Sequence, residues 1–90
     1  EYEFNPEKNN KLKIERGISF EEIITLIEMD QIIDVINHPN PSKYPNQKIY
    51  RVEIAGMIYL IPFVINGRKR FLKTIIPSRK ATKIIKEQNK

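Results

Sequence analysis

Two hydrophobic periods divide this 90-residue chain. Over Phe20–Glu28 the apolar residues recur at three- and four-residue spacing, as on a helix face. From Ile32 they alternate or run together, as in strands. Asn5-Pro6-Glu7 opens a first helix. Asn5 supplies a cap, Pro6 suits the first helical position and Glu7 favours the positive helix end. A short polar helix is predicted over Glu7–Glu15, closed by Gly17 as a left-handed cap. Ser19-Phe20-Glu21-Glu22 is the strongest local signal. Ser19 is an N-cap, Glu22 completes a capping box, and Ile18 and Ile23 form a hydrophobic staple around it. Phe20, Ile23, Ile24 and Ile27 then share one face, which predicts a helix over Phe20–Glu28.

Ile32–Ile36 is a β-branched run and predicts a first strand. His38-Pro39-Asn40-Pro41-Ser42 and Tyr44-Pro45-Asn46 make a long proline-rich loop. Gln47–Ile54 alternates, with Tyr50, Val52 and Ile54 on one face and Ile49, Arg51 and Glu53 on the other. Ala55-Gly56 marks a tight turn, so Met57–Ile65 is expected to pair back as a hairpin. That segment is apolar on both faces, as in a covered central strand. Pro62 cannot donate to a ladder, so a bulge or a break in pairing on one side is expected there. Asn66-Gly67 makes the next turn, and Phe71–Ile76 is the last strand. Ser78 then caps a final helix with Ala81, Ile84, Ile85 and Gln88 on its inner face.

The expected architecture is a single α+β domain over residues 1–90. Two N-terminal helices pack on a four-stranded antiparallel sheet, with a C-terminal helix. Phe20, Ile23, Ile24 and Ile27 are expected to pack on Val52, Ile54, Ile58 and Leu60. A chain of this length buries only about 60–65% of its unfolded surface, so the core is modest.

Charge sharpens this picture. Glu1–Asp34 holds nine acids and four bases, a net −5, while Val35–Lys90 holds two acids and twelve bases, a net +10. Arg68–Lys90 alone carries nine Lys or Arg and one acid, Glu87. Such density beside a strand points to phosphate, with nucleic acid the usual partner. A solvated lysine-rich surface is the other reading. The chain has no cysteine. That excludes disulfides, thiolate metal sites and cysteine nucleophiles, and it fits a reducing, cytoplasmic setting. The longest apolar run, Met57–Ile65, is far short of the roughly 20 residues a membrane helix needs. The opening residues read as no secretory leader.

Conventional catalytic apparatus is sparse. His38 is the single histidine and sits in the proline-rich loop, where a plain surface role is the ordinary one. No carboxylate cluster has ligand spacing, so no metal or cofactor is expected. Neither a glycine-rich phosphate loop nor a G-x-S-x-G elbow is present. Basic side chains remain. Arg79 and Lys80 fall in the first turn of the last helix. A phosphate there would accept its free N–H groups and pair with both side chains. Alternatively the helix starts near Thr82, and both cations belong to a loop. Arg51 sits mid-strand and either pairs with Glu53 or Asp34 or faces a groove with Arg79. RNA cleavage requires neither histidine nor metal. Arginine and lysine can stabilise the developing charge, and a lysine crowded by other cations can move a proton. A groove holding Arg51, Lys73, Arg79 and Lys80 therefore fits a metal-independent ribonuclease. Arg51, Arg79 and Lys73 are its catalytic candidates; Lys80, Arg68, Arg70 and Lys83 are its RNA phosphate-binding ones.

Three segments stand in order along nearly the whole chain: Phe4-Asn5-Pro6-Glu7-Lys8, Gly17-Ile18-Ser19-Phe20-Glu21-Glu22 and Ile75-Ile76-Pro77-Ser78-Arg79-Lys80-Ala81-Thr82. They resemble three motifs of the BrnT family of bacterial type II toxins, within the RelE/ParE-like superfamily. Those motifs are the family's aromatic-Asp-Pro-x-Lys opening, its Gly-Val-Ser-Phe-Glu-Glu and its Ile-Ile-Ser-Ala-Arg-x-Ala. The resemblance implies a RelE-like fold, ribonuclease toxicity and a cognate antitoxin as partner. Arg79 matches the arginine of the third motif. Arg51, five residues before Gly56, matches the arginine of the family's Glu-Arg-x-x-x-x-Gly segment. Tyr50 stands where that segment has glutamate, and Leu12 and Arg16 stand where the family has Asn and His. With those departures a second reading stays open, a module that binds RNA or protein without cutting.

Overall fold

The computed structural model describes residues 1–88. Asn5 caps α1 (Pro6–Arg16), its side-chain oxygen accepting from the Glu7 and Lys8 N–H groups at 2.8 and 3.1 Å. Gly17 closes the helix at φ 65°, a left-handed conformation that favours glycine. Ser19 starts α2 (Phe20–Glu28), its Oγ accepting from the Glu22 N–H at 3.2 Å. The capping box is only half made. The Glu22 carboxylate takes the Ser19 hydroxyl at 3.4 Å instead of the backbone N–H. Buried Asn9 ties the two helices together. Its Oδ1 accepts from the Phe20 N–H at 2.8 Å, and its amide donates to the Glu21 carboxylate. That contact, ahead of nearby Lys13, holds the Glu21 carboxyl below its ordinary range.

Six strands follow or flank the helices: β1 (Tyr2–Phe4), β2 (Asp34–Asn37), β3 (Gln47–Ile54), β4 (Met57–Asn66), β5 (Lys69–Leu72) and β6 (Ile76–Pro77). They form one sheet in the order β1-β5-β4-β3-β2, with β6 pairing to β4. The sheet is mixed, not four antiparallel strands. β1 runs parallel to β5, Tyr2 beside Arg70 and Phe4 beside Leu72. A three-residue strand is too short for alternation to show, and its partner lies far along the chain. β2 begins at Asp34 rather than Ile32.

The expected last strand, Phe71–Ile76, is split in two, and Pro62 is the cause. Against β3 it stays in register, facing Ile49. On its other side its carbonyl accepts from the Lys73 N–H at 2.8 Å, but its nitrogen has no hydrogen to return. Pairing therefore stops at Leu72 and resumes at Ile76.

One face of the sheet carries the core. Tyr50, Val52, Ile61, Phe63 and Leu72 pack there with Leu12, Ile18, Phe20 and Ile23 from the helices and their junction. Ile24, Ile27 and Ile54 border this cluster half-buried. Ile58 and Leu60, expected in the same core, lie on the opposite face. The turn decides this. Ala55 and Gly56 both have positive φ (53° and 82°), as in a two-residue primed hairpin. Ile54 then meets Met57, and Glu53 and Arg51 meet Ile58 and Leu60.

The last helix, α3 (Arg79–Gln88), starts where its cap predicts: Ser78 Oγ accepts from the Ala81 N–H at 3.1 Å. Its inner face is rotated from the expected one. Ala81, Thr82 and Ile85 are half-buried, whereas Ile84 and Gln88 are exposed. Thr82 sets the rotation, because its Oγ1 accepts from the Ile58 N–H at 2.8 Å. No helix among the described residues is long and apolar enough to cross a membrane.

Candidate functional site

The sheet face away from α1 and α2 is open at its centre. Leu60, Pro62 and Val64 are only half-buried there, while Phe71 and Ile76 are 40% and 42% exposed. Register joins them into one apolar strip, Val64 opposite Phe71 and Leu60 opposite Ile76. Cations frame the strip. Arg51 adjoins Leu60 from β3. Lys73 continues the alternation of β5 past Phe71, held in register by its hydrogen bond to Pro62. Lys69 flanks Phe71 on the other side and pairs with Glu3 at 3.2 Å. Arg79 and Lys80 lie at the margin, just after Ser78 donates its N–H to the Ile58 carbonyl at 2.9 Å. Arg51 and Ile76 stand two strands apart, about 10 Å at ordinary strand spacing.

Arg51 is not free. Its Nε donates to Asp34 Oδ1 at 2.6 Å, and its Nη2 donates to Oδ2. The two residues face each other across β2 and β3. Hydrogen bonding to Arg51 lowers the Asp34 carboxyl from its ordinary range, and Asp34 raises the guanidinium in turn. Of the roles open to Arg51, the pair with Asp34 is the one formed. A carboxyl lowered on folding adds stability above its unfolded pKa, about 3.9, and loses it as pH falls through the folded value. The pair is part-exposed, so its worth is on the order of 1 kcal/mol or less. Asp34→Asn should therefore lose less stability than wild type between pH 7 and pH 3, read from urea midpoints. Equal losses would mean that the pair contributes nothing.

The remaining candidates are scattered. Arg68 is exposed in the β4–β5 turn, its carbonyl taking the N-terminal amine at 3.3 Å. Lys83 is exposed on α3. Arg70 lies on the helix-bearing face, because β5 alternates and Phe71 takes the open one. It therefore does not join the groove expected from sequence. Its Nη1 donates instead to the Tyr50 hydroxyl at 2.6 Å. No local signal points to Tyr50 or Tyr2 as partners of Arg70; only the fold sets β1 beside β5. Phe71, previously a plain strand residue, becomes an exposed ring between two lysines.

Other features carry no phosphate chemistry. A cleft of about 390 Å³ is lined by Glu22, Thr25, Leu26, Glu53 and Ile54, and its carboxylates would repel phosphate. Nδ1 of His38 accepts from the Asn40 N–H at 3.0 Å, which stabilises its own loop. Among the described residues no group of three His, Cys, Asp or Glu is placed to hold a metal ion.

No family model, curated protein or solved structure matches this chain. The functional reading rests on this geometry and on the three sequence segments.

Proposed function

We propose that this protein is a bacterial toxin of the type II class that binds RNA and cleaves it without a metal. In this reading it acts in the cytoplasm and is held in check by a cognate antitoxin. The observation that supports it is the open sheet face, where exposed Phe71 lies between Lys69 and Lys73 with Arg79 and Lys80 at the margin. A base stacked on an aromatic ring contributes about 1–3 kcal/mol, whatever the base. A phosphate beside the ring would pair with Lys73, since Lys69 is held by Glu3.

Cleavage on this face proceeds by attack of the 2′-oxygen on the adjacent phosphorus. The bond to the 5′-oxygen breaks, leaving a 2′,3′-cyclic phosphate and a 5′-hydroxyl. One proton leaves the 2′-hydroxyl and one reaches the 5′-oxygen. Arg79 and Lys80 stabilise charge on the non-bridging oxygens, and Lys73 transfers protons. Arg51, tied to Asp34, acts as a positioning residue that fixes the β2 side of the face. The same tie favours a second reading, a platform that binds RNA without cutting it, since one expected catalytic cation is occupied. The antitoxin is assigned to the free edge at β2, where Val35 is 43% exposed and an extended segment could add a strand.

Incubation of purified protein with single-stranded RNA in excess chelator tests the proposal. Fragments ending in cyclic phosphate are expected. Binding with intact RNA would select the platform, and neither binding nor cleavage would remove both readings. Affinity should fall with salt at a slope of about −2 in log–log terms, from three phosphate contacts at about 0.7 each. A flat response between about 50 and 200 mM salt would exclude phosphate contact.

A further inference from the structure

We propose a second anion site on the helix-bearing face, formed by Arg70 and Tyr2 over Tyr50 and fitted to a phosphate group. It is independent of the open face and of the reading given to it. Arg70 lies in β5 between Tyr2 of β1 and Ile65 of β4. One of its N–H groups donates to the Tyr50 hydroxyl at 2.6 Å. Tyr50 is itself buried, its ring stacked on Phe63 with centroids 4.2 Å apart. The Arg70 guanidinium carbon lies 5.9 Å from that same Phe63 ring. A rigid phenol and an aromatic ring therefore orient Arg70, where a carboxylate would ordinarily do so.

No carboxylate among the described residues pairs with Arg70. The residue is exposed, so its remaining donors are available to a ligand. Tyr2 adds a second donor. Its hydroxyl lies 3.5 Å from that of Tyr50. Burial first, and then the bond to Tyr50, push the Tyr2 phenol up to about 12, so it keeps its proton at physiological pH. Lys48 shares this face, opposite Phe63. The planar fork fits carboxylate and phosphate alike; the Tyr2 hydroxyl, from another strand, adds a donor for a further oxygen of a tetrahedral oxyanion. If Arg70 served only to satisfy the Tyr50 oxygen, its removal would alter stability and no anion would matter.

Titration of isotope-labelled protein with inorganic phosphate, followed by NMR, separates these cases. Saturable shifts are expected at the Arg70 side chain and at Tyr2. Arg70→Gln should weaken binding about tenfold or more, the worth of a charge-assisted bond. Tyr2→Phe should weaken it by a smaller factor. Both variants should keep the wild-type fold, since the Tyr50 hydroxyl retains Tyr2 beside it in Arg70→Gln and Arg70 beside it in Tyr2→Phe. Acetate at equal ionic strength should shift these resonances little; equal shifts would overturn the preference for phosphate. Unchanged phosphate affinity in a folded Arg70→Gln would overturn the site. An oligoribonucleotide without terminal phosphate forms a second arm. Shifts at Arg70 with it would assign the site to RNA phosphodiesters, and shifts with inorganic phosphate alone would assign it to free phosphate.

Discussion

Phe20→Ala should cost about 3–5 kcal/mol of folding stability. A domain of this length has roughly 5–13 kcal/mol in total, so the loss is roughly a quarter of it or more. The ring opens α2 with no exposed surface and stacks on Phe4 at 5.0 Å. The Phe20 N–H also meets buried Asn9 at 2.8 Å, so β1, α1 and α2 converge on this one residue. Alanine would leave a cavity that three elements anchored elsewhere close only in part. Urea unfolding measures the loss. A change under about 1 kcal/mol would show that the ring is not in a packed core.

Arg79→Ala should lower RNA cleavage by about 10²–10³, the usual effect of losing one preorganised donor to a charged transition state. Its melting point should stay at the wild-type value. Arg79 is exposed, the start of α3 is capped by Ser78, and alanine is the better helix former. Removing a cation from a helix N-terminus also relieves a small dipole conflict. Lys73→Ala should behave alike, since that side chain is exposed and only its backbone N–H is engaged. Arg51→Ala should differ in kind. It strands Asp34 without its partner, so stability and activity should fall together. Normal cleavage by a normally folded Arg79→Ala would remove the catalytic assignment. Absence of cleavage by the wild-type protein is the result that would select the non-catalytic platform. The Arg70 site is read by phosphate titration, so its outcome does not depend on this one.

The candidate site was only partly legible. Arg51, Lys73, Arg79 and Lys80 were chosen for charge and position, and register does bring Arg51 and Lys73 to one face. Whether Arg51 paired with Asp34 or turned to a groove was open until β2 and β3 were in register. Arg68 and Arg70 belong to one basic run, Arg68–Lys90. Alternation along β5 then sent Arg70 to the other face. A charge run reports composition, whereas a site depends on which face each member takes.

Local chemistry determined both N-terminal helices. Their caps at Asn5, Gly17 and Ser19 act within three or four residues, so no distant partner is needed to place them. The same holds for the Ala55-Gly56 hairpin and for the broken pairing at Pro62, where one missing hydrogen is a property of the residue itself. Only the tertiary structure decided which face each strand offers, how α3 is rotated, and that β1 lies beside β5. A one-residue shift of register between β5 and β6 against β4 puts Phe71 and Ile76 on the same face, and Thr82 turns α3 by binding a backbone group far back in the chain. The pairing of Tyr2 with Arg70 joins the start of the chain to a strand far along it. No short-range pattern encodes such a contact, because its stability comes from burial that exists only once the sheet is assembled.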